Sequence, residues 1–439
     1  MERKEMHLGI FVLGTGHHIA AWRHEDVPAE AAEDFRFYKN IAELAEKGKF
    51  DMLFLSDGLT FDHLSHPAEQ VRLEPLTLLS ALAAVTEHIG LVATASTTYN
   101  EPFHIARKFS SIDHLSQGRA GWNVVTSYYE KEAENFSKEE HLSHATRYER
   151  ASEFVDVVKG LWNSWDEDAL VRNKQTGEYF TYEKLHTLNH VGKHFQVKGP
   201  LNSSRPPQGQ PVIVQAGSSP AGIKLASETA EVVFTAQQTL EGAQAFYEKI
   251  KLATEQAGRK RRDVKVLPGV TPIIGKNEAE AREKFEQLQD LIVPEIGLDY
   301  LSDYLGGIDF SDMSLDEYLP EDIPETNGNK SRREIIIELA KRERLTIRQL
   351  YKRIAGTRGH RIIFGSPVQI ADQLQEWFEN GAADGFNLMF ASVPHALADF
   401  VEDVVPTLQK RGLFRKDYEH KTLRGHLNIT NEKRVAVQL

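Results

Sequence analysis

The chain has 439 residues, and its 52 Lys and Arg against 64 Asp and Glu leave a formal net charge of −12. That balance argues against a general nucleic-acid or anionic-membrane binder, because neither polyanion attracts a net-negative surface. The absence of cysteine excludes disulfides, zinc–thiolate sites, iron–sulfur clusters and thiol catalysis.

The length fits either about three domains or one α/β barrel with insertions. The N-terminus, MERKEMHLGIFVLGTG, carries charges and then a short apolar run with no A-x-A-like cleavage site, so it reads as a first strand. The most apolar stretch, Leu76 to Val85, is too short to span a bilayer. A soluble, cytoplasmic protein is expected, with no membrane or nucleic-acid partner.

Apolar, β-branched runs recur along the chain: MHLGIFVL from Met6, FDMLFLSD from Phe50, IGLVATAST from Ile89 and RAGWNVVTS from Arg119. PVIVQAGSS follows from Pro211, EVVFTA from Glu231, VKVLPGVTPIIG from Val264 and GFNLMFAS from Gly385. They are apolar on both faces, which marks strands of a buried parallel sheet. Helical periodicity fills the gaps. Phe35, Tyr38, Ile41 and Ala45 form one stripe, with Gly48 at the C-cap position. Tyr148, Ala151, Phe154, Val158 and Leu161 form another, and Thr146-x-x-Glu149 before them fits a capping box.

Eight strands alternating with helices predict an α/β fold, a (β/α)8 TIM barrel with insertions, over an open doubly wound sheet. Gly14-Thr15-Gly16 lacks the third glycine of a dinucleotide fingerprint, and no Walker A loop is present. Residues 1–439 read as a single barrel domain. Residues 163–210 and 276–384 are longer than simple crossovers, and the second is expected to be an insertion between strands seven and eight that acts as an active-site lid.

Barrel active sites lie at strand C-terminal ends. There the sequence places Asp57, Thr94, Asn123 and the turn Gly217-Ser218-Ser219-Pro220. Each alone is accounted for as a turn or cap residue; their coincidence on several strand ends is what points to a site. In the turn, Ser219 suits an N-cap and Pro220 the first helical position, so the free N–H groups beyond make a natural phosphate seat. His144 and Tyr148 are four apart and share a helical face. Gly365-Ser366-Pro367 reads as a plain cap. No H-x-H strand end or H-E-x-x-H occurs, so no metal site is assigned, although a metal-dependent barrel hydrolase is kept as an alternative.

The sequence also resembles the bacterial luciferase-like flavin monooxygenases, in the branch acting on nitrilotriacetate, dibenzothiophene sulfone and long-chain alkanes. The resemblance runs nearly end to end and is carried by AAWRHEDV (20–27), AEKGKFDMLFLSDG (45–58), the block from Ile89 to Ser127, HATRYERASEFVDVVKGLWNSW (144–165), the block from Leu188 to Ser219, and VVPTLQKRGLFRKDY (404–418); it is weakest over 295–360. It implies a (β/α)8 barrel that binds FMN reduced elsewhere by a separate NAD(P)H-dependent flavin reductase, with O2 as co-substrate. By that resemblance Asp57 and Thr94 lie against the flavin ring, with Asn123 near it. His144, Tyr148 and Ser218 hold the ribityl phosphate, with Ser219 as a neighbour. It further implies a homodimer or homotetramer, and oxidation of a small organic substrate with C–S or C–N cleavage. The best single substrate candidate is the carboxylate-bearing N-acetyl-S-(2-succino)cysteine. His17, His18, Arg23, His63 and Arg72 are the cationic candidates for holding it. No catalytic residue is singled out, and a flavin-binding protein without catalysis is the remaining alternative.

Overall fold

A computed structural model of the chain describes residues 5–61, 70–323, 325 and 330–429. His63 lies outside them. Nine parallel strands form the central sheet: β1 His7–Val12, β2 Met52–Leu55, β3 Gly90–Ser96, β4 Ala120–Val125, β5 Val212–Gln215, β6 Val232–Thr235, β7 Lys265–Ile274, β8 Arg361–Gly365 and β9 Gly385–Leu388. Strand β6 pairs with β7 through Val232↔Lys265, and β9 joins β7 to β1 through Asn387↔Gly269 and Gly9↔Asn387, which closes an eight-stranded barrel. All eight expected strands are present, within a few residues of the runs that announced them.

The ninth strand, β8, lies inside the 276–384 connection and pairs with the upper half of β7, from Val270↔Arg361 to Ile274↔Gly365. Among the described residues, the α-helices before β9 are α1 Phe35–Lys47, α2 Pro75–Ala83, α3 Pro102–Leu115, α4 His144–Trp162, α5 Pro220–Thr229, α6 Leu240–Gln256, α7 Glu278–Asp290, α8 Pro294–Tyr304, α9 Lys330–Glu343, α10 Ile347–Thr357 and α11 Pro367–Glu379, and further helical segments follow between His395 and His426.

Alternation along the strands sorts the core. In β1, Leu8, Ile10 and Val12 face the helices, while Phe11 faces the barrel interior with Phe54, Val92, Val214, Phe234 and Met389. The barrel floor is plugged from the C-terminal segment. A Cβ on Gly90 would stand 2.4 Å from Leu423 Cδ1, and one on Gly121 3.3 Å from Leu423 Cδ2, so these glycines make room for that leucine. Ion pairs seal the same end. Asp51 is fully buried, accepts from Leu8 N–H at 2.8 Å, and pairs with His7 and Arg415. Glu231 pairs with Arg424 at 3.2 Å.

The long connection divides. Helix α7 packs on β7 and β8, and α11 on β8, so both belong to the barrel wall. Between them, Tyr300, Leu301, Ile336, Leu339, Leu350 and Ile354 build a second core together with Ile19 and Ala20 of the first loop. Two caps differ from the sequence pattern. Helix α4 begins two residues before Thr146, with Ser143 as N-cap accepting from Thr146 N–H, so Thr146-x-x-Glu149 is not the capping box. At the end of α1 the left-handed residue is Lys49 (φ 63°), while the C-cap Gly48 has φ −73°.

Candidate active site

Two cavities open at the strand C-terminal ends, and both are lined by Val125, Ser127 and Tyr128 at the end of β4. The larger, about 550 Å3, lies over the N-terminus of α5, and the smaller, about 300 Å3, over β2 and β3. Together they match the size of small-molecule sites.

The larger cavity is built by the β5 turn. Ser219 caps α5 by accepting from Gly222 N–H at 3.1 Å, and Pro220 takes the first helical position, as the sequence pattern requires. The turn is tight because Gly217 has no side chain: a Cβ there would stand 2.9 Å from Gly222 Cα and 3.1 Å from Tyr148 Oη. The free N–H groups and positive dipole end of α5 therefore face the cavity beside Ser218. His144 and Tyr148 line the opposite side with ring centroids 4.7 Å apart. Burial, then the nearby Arg147 and Lys330, pulls the His144 imidazole below its ordinary range, which favours its neutral form. Gln215, 3% exposed, lines this cavity, and its Oε1 has no hydrogen-bond partner.

The smaller cavity is lined by Asp57, Thr94, Tyr99, Tyr128, Glu132 and Phe136. Thr94 Oγ1 donates to the Leu55 carbonyl at 2.9 Å and accepts from Asn123 Nδ2 at 2.8 Å. This chain fixes the amide and leaves the buried Asn123 Oδ1 without a partner. Asp57 faces Arg72 at 3.3 Å, and Arg72 also donates to the Gly58 carbonyl at 3.2 Å. Burial raises the Asp57 carboxyl, and Arg72 counters only part of that. Glu132 accepts from Leu59 N–H at 3.2 Å and is likewise raised by burial, with Asp57 as a repelling neighbour. At the junction, Ser127 holds a left-handed backbone (φ 58°) and bonds Ser96 Oγ at 2.8 Å. A non-glycine residue held there is costly and favours sites with a specific geometric task.

The structure thus brings Asp57 and Thr94 to one cavity, with Asn123 bonded to Thr94, and His144, Tyr148, Ser218 and Ser219 to the other. Of the substrate candidates, Arg72 borders the smaller cavity through Asp57 and Gly58, while His17, His18 and Arg23 line neither cavity. His17 is buried with Nε2 2.9 Å from the Phe11 carbonyl, and the His18 Nδ1 accepts from Ala20 N–H. Arg23 is exposed and donates to the Leu291 carbonyl, and Arg72 is committed to Asp57. A cluster of His360 with Arg332 and Arg358 also escaped the sequence pattern, and none of the three lines either cavity. His360 stacks on Phe234 with centroids 5.1 Å apart and accepts from Arg332 Nη2 at 3.0 Å. Burial, then Arg332, His17 and Arg358, holds His360 well below its ordinary pKa. Glu132, Lys249 and Lys330 were also missed. No local motif marks them, because it is the fold that carries them to the cavities. Among the described residues, His24, Asp26 and His395 could together hold a metal ion, their ligand atoms lying within 4.8 Å of one another, but none of them lines either cavity.

The cavities fit a flavin mononucleotide in kind. One end offers a phosphate seat with the unpartnered Gln215 Oε1 beside it, and the other a slot walled by aromatic rings. Comparison with known proteins agrees. The family model for luciferase-like monooxygenases matches residues 6–384. The chain is 56% identical to N-acetyl-S-(2-succino)cysteine monooxygenase of Bacillus subtilis over 98% of this chain and 97% of that one. It is 50% identical to nitrilotriacetate monooxygenase component A of Aminobacter aminovorans, covering 98% of each. The crystal structure of a riboflavin lyase with modified FMN and riboflavin superposes with a TM-score of 0.86 at 29% identity, over 97% of this chain and 96% of that one.

Proposed function

The chain belongs to the luciferase-like monooxygenases, and from that premise we propose that it is the oxygenating component of a two-component system, fed with reduced FMN by a separate NAD(P)H-dependent reductase. When bound, the reduced flavin supplies the electrons that activate O2. The residues of this chain do the rest. Ser218, Ser219 and the N–H groups opening α5 hold the phosphate, with His144 and Tyr148 beside it. Asp57, Thr94 and Asn123 face the ring. The part of the 276–384 connection that builds the second core, helices α8 to α10, acts as the lid and keeps water from the reacting atoms.

The substrate is a small carboxylate-bearing thioether, with N-acetyl-S-(2-succino)cysteine as the foremost candidate. One oxygen atom enters a C–H bond beside sulfur and the other leaves as water. The resulting α-hydroxy thioether splits into a carbonyl compound and a thiol, which breaks the C–S bond.

The observation that carries this reading is the junction at Ser127 and Tyr128, which joins a helix-N-terminal anion seat to an aromatic slot. The test is a product screen by mass spectrometry with chemically reduced FMN, O2 and a panel of thioether, amine and alkane substrates. Thiol release from the succinylated cysteine is expected. Binding of reduced FMN with no oxygenated product from any panel member would instead mark a flavin-binding protein without catalysis.

A further inference from the structure

The phosphate cavity is not made by the barrel alone. Its lining includes Lys330 and Glu334, which belong to α9 in the long connection, and Lys249 from α6 of the barrel wall. Lys330 is the first residue of α9, and the same helix contributes Ile336, Leu339 and Ala340 to the second core. One helix therefore links the cavity to the body of the insertion. Lys249 and Lys330 are exposed, and among the described residues neither takes part in an ion pair. With Arg147 they give the cavity three cations against the single carboxylate of Glu334, in a chain whose net charge is −12. A local reversal of sign in an acidic protein favours an anionic ligand at that place.

We propose that Lys330 is a phosphate ligand carried by the insertion, so that the phosphate monoester dianion of the cofactor ties the insertion to the barrel. This rests on the reading of the cavity as the flavin phosphate seat. Barrel residues alone would bind the phosphate whatever the state of the insertion. With Lys330 among the ligands, by contrast, binding FMN and docking the insertion are one equilibrium, and each strengthens the other. Riboflavin, which lacks the phosphate, fills the slot without engaging this link.

The test compares FMN and riboflavin, each oxidised and dithionite-reduced, by calorimetric titration and by hydrogen exchange over residues 330–357. In the wild type, FMN slows exchange in this segment and riboflavin does not. Lys330→Gln weakens FMN binding roughly five- to tenfold, leaves riboflavin binding unchanged and abolishes the slowed exchange, whereas Lys330→Arg retains it. Lys249→Gln weakens FMN binding but keeps the slowed exchange, because Lys249 is not part of the insertion. The proposal is overturned if Lys330→Gln binds FMN as the wild type does, or if riboflavin slows exchange as much as FMN. A wild type that binds neither flavin overturns the cofactor reading itself, and this inference with it.

Discussion

Single positions decide whether the site forms. Gly217 is held to glycine by crowding: a Cβ would meet Gln215 Nε2 at 2.4 Å and Gly222 Cα at 2.9 Å, and Gly222 is backbone that cannot swing away. Gly217→Ala is therefore expected to push the start of α5 out of place and to weaken FMN binding roughly tenfold, about 1.4 kcal/mol. Unchanged affinity in a flavin fluorescence titration would place the phosphate elsewhere. Asp113 makes a separate prediction away from the site. It is buried, accepts from Ala120 N–H at 3.1 Å and Gln208 Nε2 at 2.7 Å, and burial pushes its carboxyl up to about 6 from an ordinary 3.8. A raised acid keeps its proton in the folded state where the unfolded chain has lost it. Folding is thus favoured most below about pH 4, and that advantage is lost as pH rises through 6. The unfolding free energy of the wild type relative to Asp113→Asn should fall between pH 4 and 7, by at most about 3 kcal/mol. A flat difference in guanidinium titrations at several pH values would mean that Asp113 ionises normally.

Elements were more legible than their joints. Runs such as GLVATAS and VIVQ are apolar on both faces, as strands covered on both sides are, and the count of eight such runs favoured a barrel over an open doubly wound sheet. Strand β8 hid because RIIFG is short, sits inside a long connection, and pairs with only the upper half of β7. The cap at Ser143 was displaced from Thr146 because serine and threonine both satisfy the local rule, and the register of the chain chose between them. Within the site, Ser218 and Ser219 were readable because a glycine–serine–proline turn is a local signal. Lys330 was not, since its place depends on where an insertion lands. The floor plug was equally invisible, yet it is testable. Leu423 is fully buried against Gly90 and Gly121, so Leu423→Ala leaves a void at the base of the barrel and is expected to cost about 2–5 kcal/mol. Thermal unfolding should show the loss while FMN affinity holds, because the floor and the cavities lie at opposite strand ends. A matching loss of affinity would show that the barrel transmits strain from floor to rim.

The whole molecule is arranged as a closed floor and an open rim. At the floor, buried charges are matched: burial would raise the Asp51 carboxyl, but Arg415 and His7 outweigh it and hold the group below its ordinary range. Buried atoms without partners occur at both ends, Arg424 Nε and His426 Nδ1 at the floor and Asn123 Oδ1 and Gln215 Oε1 at the rim, but only those at the rim lie where a ligand can complete the bonding. Such a design makes stability depend on the cofactor. A ligand that binds only the folded state adds about 2.7 kcal/mol at a free concentration 100 times its Kd. FMN at that level should raise the unfolding midpoint, and riboflavin at the same concentration should raise it less, because riboflavin leaves the α5 seat, Lys249 and Lys330 unengaged. Equal midpoints with the two flavins would mean that the phosphate contributes no binding energy, and the cations gathered at this rim would then need another anion.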